Sequence, residues 1–384
     1  MGKTFGLYIH IPFCERKCKY CGFLSFDDCG AEDLNAYLKA LEAELSMDSR
    51  KYQGYTADTV FIGGGTPSLI AAGQISELIS IIRDEFDIAE DAEISIEANP
   101  NSLTNEKLSA YMDAGINRIS IGAQSLDDKV LDTLGRIHDR KCFLSAYNSA
   151  RDHGFSNINI DLMSGIPGQT MEQWDNTVSE VISLKPEHVS FYSLQLEEGT
   201  PFYESYKNGE LDMIDTALDT EMYHEAVRAF KDSGYEHYEI SNAALPGHEC
   251  RHNLKYWSLG EYLGAGLGAS SYMNCVRYKN EDDIKHYCKA VNGGEIPVDK
   301  KSLHNDTEKD SMGIYCFTAL RTSAGIDTRR FSELFGKPFF AAYSDKMEAI
   351  GKYMAEGSLK TDGGHIMLTE NGIDVSNDIM SEFV

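Results

Sequence analysis

Three cysteines at C-x3-C-x2-C spacing, Cys14, Cys18 and Cys21, are the residues of this chain best placed to do inorganic chemistry. They follow a short apolar run, residues 7–13, that reads as a strand stopping at Pro12, so they lie on the loop that leaves it. Three thiolates on one loop can converge on an iron–sulfur cluster, which normally takes four protein ligands. A [4Fe–4S] cluster held by three cysteines leaves one iron free to bind a small molecule. The alternatives are a zinc site or three unrelated thiols. Zinc prefers four ligands in paired motifs, and no second C-x2-C or His pair follows. The spacing therefore favours a cluster.

Polar residues recur downstream at matching places. Gly63-Gly64-Gly65-Thr66-Pro67 ends a second strand-like run, and consecutive glycines let backbone groups approach a ligand closely. Glu97-Ala98-Asn99-Pro100 ends a third run, and Gln124 a fourth. Arg136 follows the next helical stretch, and Asp161 lies in a fifth run. Each of these could be structural when taken singly. Jointly they stand at one end of successive strands and point at one mouth.

The elements that would position them form a regular alternation. Apolar, β-branched runs at 7–13, 59–63, 93–98, 118–123, 157–163 and 188–196 are separated by amphipathic stretches at 33–47, 68–86, 105–114, 127–134, 141–153 and 171–184. Such alternation implies an α/β fold with a parallel sheet and helices outside it. The pattern leaves a doubly wound sheet and an open barrel both open. A helical stretch at 217–233 and a strand-like run at 235–240 follow. Residues 241–299 read as irregular. Helical stretches at 307–320, 328–335 and 339–355 then precede two short strands around Asp362-Gly363-Gly364, which predicts a small winged-helix-like domain. The expected division is 1–240, a connecting region at 241–300, and 301–384.

With 384 residues the chain can hold a large barrel and a smaller domain. A formal net charge of −26 argues against nucleic acid, whose affinity comes mainly from Lys and Arg. The last segment, 301–384, carries 9 Lys and Arg against 13 Asp and Glu, which speaks against a DNA-binding winged helix. No apolar run is long enough to span a bilayer, and the N-terminus lacks a signal-peptide core, so a cytoplasmic protein is expected. Cys29, Cys142, Cys250, Cys275, Cys288 and Cys316 have no ligand-like spacing and are expected to be small buried residues.

The cysteine triplet with Tyr20 before its last member resembles the signature of the radical SAM enzymes. The flanking run Tyr8-Ile9-His10-Ile11-Pro12-Phe13-Cys14 resembles the branch that contains the oxygen-independent coproporphyrinogen III oxidase and the HemW-type haem chaperones. This resemblance implies a partial (βα)6 barrel with the site at the carboxyl ends of its strands. It implies that the open iron is chelated by S-adenosylmethionine, which one electron cleaves to a 5′-deoxyadenosyl radical. It also implies roles: Cys14, Cys18 and Cys21 as cluster ligands; Gly64, Gly65, Thr66, Glu97, Gln124, Arg136 and Asp161 around the cofactor; Tyr8 and Tyr20 near the cluster.

Two features separate the members of the branch. The oxidase has a further cysteine where Phe23 stands, as Phe stands in the chaperone-like proteins. The segment His252-Asn253-Leu254-Lys255-Tyr256-Trp257 and its glycine-rich sequel resemble the chaperone group, in which the histidine is implicated in haem binding. On the residues alone, His252 is either an axial haem ligand beside flat aromatic surface or a hydrogen-bonded structural histidine. Gly22 departs from the Asp or Asn common in that group. The resemblance implies a haem chaperone for apo-haemoproteins, served by an electron donor such as flavodoxin or ferredoxin. Its alternative is the oxidase or another radical enzyme acting on a tetrapyrrole.

Overall fold

The structure is a computed structural model that describes residues 3–384. Six strands, β1 (Lys3–Ile11), β2 (Tyr55–Gly64), β3 (Asp87–Ala98), β4 (Arg118–Gln124), β5 (Ile158–Ser164) and β6 (His188–Ser193), pair in sequence order and all in parallel. Helices α1 (Ala31–Lys51), α2 (Ala72–Glu85), α3 (Asn105–Asp113), α4 (Asp128–Leu134), α5 (Arg140–Asp152) and α6 (Met171–Leu184) lie between them. The six strands form the expected partial barrel. Parallel strands covered by helices are buried on both faces, and β4 shows it: all seven of its residues are buried. Side-chain oxygens of Thr104, Asp127, Asp139 and Thr170 accept from helix N-terminal amides and fix where α3, α4, α5 and α6 begin.

Beyond β6 come α7 (Pro201–Lys207), α8 (Thr216–Asp232), β7 (Glu236–Glu239), β8 (Asn242–Ala244) and α9 (Arg251–Trp257). Then follow β9 (Tyr262–Ala265), β10 (Ser270–Met273), β11 (Val276–Lys279), α10 (Ile284–Asn292) and β12 (His304–Asn305). The stretch expected to be irregular is therefore structured. Strand β9 pairs in parallel with the free edge of β1, and β10, β11 and β12 extend that edge. At the other edge β8 pairs antiparallel with β6. The result is one twelve-stranded sheet, so residue 240 is not a break in it. These added strands have two to four residues each, too short to show alternation.

The remaining elements, α11 (Glu308–Ala319), β13 (Ile326–Asp327), α12 (Thr328–Phe335), α13 (Phe339–Ala342), α14 (Met347–Ala355), β14 (Leu359–Asp362), β15 (His365–Leu368), α15 (Glu370–Asp374) and α16 (Ser376–Ser381), enclose a second core around Phe331, Phe339 and Ile379. Gly363 and Gly364, both at positive φ, make the two-residue turn between β14 and β15. The helix expected over 339–355 breaks at Tyr343, and the stretch 68–86 opens with a separate 3-10 turn, Pro67–Leu69. Among the described residues, no helix is long and apolar enough to cross a membrane.

Candidate functional site

The loop after β1 folds back on itself. Phe26 N–H donates to the Pro12 carbonyl at 2.8 Å, and Cys14 N–H donates to the Phe26 carbonyl at 2.9 Å. This return stands all three cysteines on one wall of a cavity of about 300 Å³ at the carboxyl ends of the strands. None of the three is in a disulfide, and each is half-buried. Thr66 Oγ1 donates to Cys14 Sγ and Arg136 Nη1 to Cys18 Sγ, both at 3.5 Å. Burial, with the neighbouring thiols adding to it, pushes the Cys21 thiol up. Among the described residues, no three His, Cys, Asp or Glu side chains close round a single ion, as tetrahedral zinc would require. A thiol-only wall with hydrogen-bond donors aimed at the sulfurs fits an iron–sulfur cluster.

The floor of the cavity is backbone. Gly64 has φ +117°, and a Cβ there would stand 2.6 Å from the His10 ring. A Cβ on Gly65 would stand 2.7 Å from the Phe13 carbonyl oxygen. Gly64 N–H donates to Glu97 Oε2 at 2.9 Å. Glu97, Gln124, Arg136 and Asp161 all reach the same cavity, as do Tyr20 and Thr66. Gln124 holds a left-handed φ of +64° where the β4–β5 register shifts, the kind of strained position that clusters at functional sites. Arg136 Nη2 donates to the Gly122 carbonyl at 2.8 Å and to Asn99 Oδ1.

The electrostatics are those of a half-buried acidic pair with two guanidiniums near it: Arg136 lines the cavity, and the buried Arg118 attracts both carboxylates. Burial, then repulsion from Asp161, pushes the Glu97 carboxyl up to about 7. Burial also raises Asp161, opposed by donation from Ser120 Oγ at 3.0 Å and Asn159 Nδ2 at 2.7 Å. A cationic ligand would relieve both carboxyls.

Two expected residues lie elsewhere. Tyr8 sits behind the cavity wall, its ring stacked on Phe61 at 6.3 Å. Its hydroxyl meets His10 Nδ1 at 3.0 Å, while His10 Nε2 meets the Leu24 carbonyl at 2.9 Å. A carbonyl can only accept, so His10 Nε2 carries the proton and Tyr8 donates to Nδ1. This chain supports the returning cysteine loop from below. His252 is 1% exposed and presents no free nitrogen. Nδ1 meets Thr59 Oγ1 and Nε2 meets the Tyr256 hydroxyl, both at 2.8 Å. Burial pushes it down to about 3, so it is neutral. Of the two readings of His252, the hydrogen-bonded one describes this arrangement: the Glu93 carboxylate accepts from the first amides of α9, and the ring lies inward between Thr59 and Tyr256.

Asn99, Ser190, Tyr192, Asn242 and Asn253 also line the cavity without having been singled out. Asn99 stands two residues after Glu97 and was legible as part of the same strand end, and Asn253 belongs to the His252–Trp257 motif; the others carry no local signal. Phe23 is 70% exposed at the rim. Of the six other cysteines, Cys250 and Cys316 are buried as expected, but Cys275 is exposed in a tight turn at φ +60°.

A parallel partial barrel with three cysteines on the loop after its first strand is the arrangement of the radical SAM class. The Radical SAM superfamily model matches residues 8–181, and the HemN C-terminal domain model matches residues 316–375. The heme chaperone HemW of Bacillus subtilis is 34% identical over 378 residues, covering 98% of each chain. That of Escherichia coli is 40% identical over 264 residues, 68% of each chain. The chain belongs to the HemW heme chaperone family of radical SAM proteins. In fold it is similar to the coproporphyrinogen III oxidase (HemN) of Escherichia coli, with a TM-score of 0.86 at 24% identity, covering 100% of this chain and 90% of that one. The cofactors implied by the superfamily are a [4Fe–4S] cluster and S-adenosylmethionine, and the donor set described above fits both.

Proposed function

We propose that the protein is a haem-binding chaperone that passes haem to an apo-haemoprotein, with Cys14, Cys18 and Cys21 holding the cluster. Tyr20, Gly64, Gly65, Thr66, Glu97, Gln124, Arg136 and Asp161 hold S-adenosylmethionine. The observation that carries this reading is the meeting of the three thiols with Glu97, Asp161 and Arg136 in one cavity. When bound, the cluster supplies the electron that cleaves the sulfonium. The chain's own residues bind and orient: the Glu97 and Asp161 carboxyls complement the ligand's positive charges, and the Gly64–Gly65 backbone admits it closely. The haem function is supported by relatives named heme chaperones that match nearly the whole chain, and by Phe23 in the place of the oxidase's extra cysteine. An electron donor of flavodoxin or ferredoxin type and a cytoplasmic location complete the proposal.

Anaerobic reconstitution, haem titration and a coproporphyrinogen III assay test it together. The expected result is one [4Fe–4S] centre whose reduced EPR signal changes with S-adenosylmethionine, a Soret shift on adding haem, and no protoporphyrinogen IX. Stoichiometric zinc without iron would overturn the cluster, and decarboxylase turnover would replace the chaperone by the oxidase.

A further inference from the structure

One face of β4, β5 and β6 carries a line of buried polar side chains that ends on Asp161. In the parallel register Asn159 on β5 pairs with Ser120 on β4 and with His188 on β6. Asp161 stands two residues after Asn159 and so faces the same side of the sheet. Ser120, Asn159, His188 and Tyr238 on β7 are all buried. Cys250 N–H, at the start of α9, donates to the Tyr238 hydroxyl at 3.2 Å. That hydroxyl meets His188 Nε2 at 2.8 Å, and His188 Nδ1 meets Asn159 Oδ1 at 2.6 Å. Asn159 Nδ2 donates to Asp161 Oδ1 and to Ser120 Oγ, each at 2.7 Å, and Ser120 Oγ donates to Asp161 Oδ2 at 3.0 Å.

The direction of this line follows from its Asp161 end. A carboxylate only accepts, so Asn159 turns its amide nitrogen to Asp161 and its carbonyl to His188. That carbonyl also only accepts, so His188 carries its proton on Nδ1. Nε2 is then a lone pair, and the Tyr238 hydroxyl donates to it. A protonated Asp161 would allow the reverse order, with the Asn159 carbonyl turned to the carboxyl. Burial, then Arg118, pushes His188 well below its ordinary range, so the ring is neutral and the line selects its tautomer. The other titratable groups facing His188 and Asp161 are Glu97 on β3, Arg118 on β4, Tyr192 on β6 and His248 before α9. Ser190 Oγ also donates to Asn159 Oδ1, at 3.2 Å, so the imidazole is the nearer of two groups that hold the carboxamide in place.

We propose that His188 is a positioning residue for cofactor binding: as the Nδ1–H tautomer it locks the Asn159 carboxamide with its donor end on Asp161, and so keeps Asp161 a carboxylate for the cationic ligand of the cavity. This rests on the reading of the cavity as the S-adenosylmethionine site.

Two variants separate this role from packing. His188→Leu fills a similar volume without a donor, whereas His188→Asn is smaller but keeps an N–H where Nδ1 stands. Both should lower the unfolding temperature of the full chain. In reconstituted protein His188→Leu should weaken S-adenosylmethionine binding roughly fivefold at pH 7.5, the value of one neutral hydrogen bond, with iron content unchanged. Its deficit against the wild type should widen at pH 5.5, because an Asp161 without the fixed donor protonates at higher pH. His188→Asn should bind close to the wild type at both pH values. The ligand-free wild type, with isotope-labelled histidine, should show by NMR a neutral ring protonated on Nδ1 that is missing from His188→Leu. Affinity that follows unfolding temperature across the two variants, rather than the presence of the N–H, overturns the role of His188, as does an Nε2–H tautomer in the wild type. Asp161→Asn that binds like the wild type, or wild-type protein that takes up iron but no S-adenosylmethionine, overturns the cofactor reading and this proposal with it.

Discussion

Replacing Glu97 with Gln tests the charge logic of the cavity. Glu97 is half-buried, donates nothing, and accepts one backbone N–H from Gly64. Its carboxyl is raised from 4.5 to about 7, first by burial and then by Asp161. A cationic ligand binds the carboxylate form, so affinity should be high above pH 7 and fall as the pH drops through it. Between pH 7.5 and 5.5 the ionised fraction falls by roughly twentyfold, and affinity should fall by up to that factor. Glu97→Gln keeps the shape and removes the titration. Its S-adenosylmethionine affinity should be lower at pH 8 by roughly one to two decades, the cost of a charge-assisted bond, and nearly flat with pH. Equilibrium dialysis on reconstituted protein at several pH values reads both slopes, and titration of the ligand itself is common to the two proteins. Equal slopes in wild type and variant would refute the reasoning, as would tighter wild-type binding at low pH.

Cys14→Ala, Cys18→Ala and Cys21→Ala should each abolish the iron–sulfur spectrum after reconstitution, whereas Cys29→Ala should keep full iron content. Arg136→Lys should keep the iron but weaken S-adenosylmethionine binding, because one ammonium cannot reproduce the fork that meets Cys18, Asn99 and Gly122 together; dialysis and iron analysis read the two effects separately. Glu44, fully buried on α1 and raised to about 7 by burial, should make the ligand-free fold more stable in acid. A folded pKa above the unfolded one means that this contribution is present below about 4.5 and lost as the pH rises through about 7. The loss is at most about 3 kcal/mol. Glu44→Gln should flatten that dependence in urea titrations at pH 5.5 and 8.

Much of the site was legible because a parallel barrel converts linear order into convergence. Thr66 follows the end of β2, and Glu97, Gln124 and Asp161 belong to β3, β4 and β5; parallel pairing in sequence order brings the carboxyl ends of these strands to one side. The runs that made the strands readable are long and apolar because both faces are covered, as in β4. Neither condition holds after residue 240. Strand β9 has four residues and joins β1 across some 250 positions of sequence (Gly6 pairs with Tyr262), so no local pattern announces it. Asn242 likewise reaches the cavity only because β8 folds back on β6.

The HN-x2-YW segment shows the same limit within a single motif. Its composition was readable: an imidazole, a carboxamide and two aromatic rings within six residues. What composition does not contain is the helix's rotation, and neighbouring residues on a helix face directions about 100° apart. That rotation is set from outside the motif, by Glu93 at the helix start, Asp58 on Lys255 and Thr59 on His252. All three are residues of β2 and β3, more than 150 positions earlier, and they carry no signal of this role. Where the imidazole of the motif lies therefore depends on Glu93, Asp58 and Thr59. Both nitrogens of His252 bond Thr59 and Tyr256, while Asn253, one position on, lines the cavity.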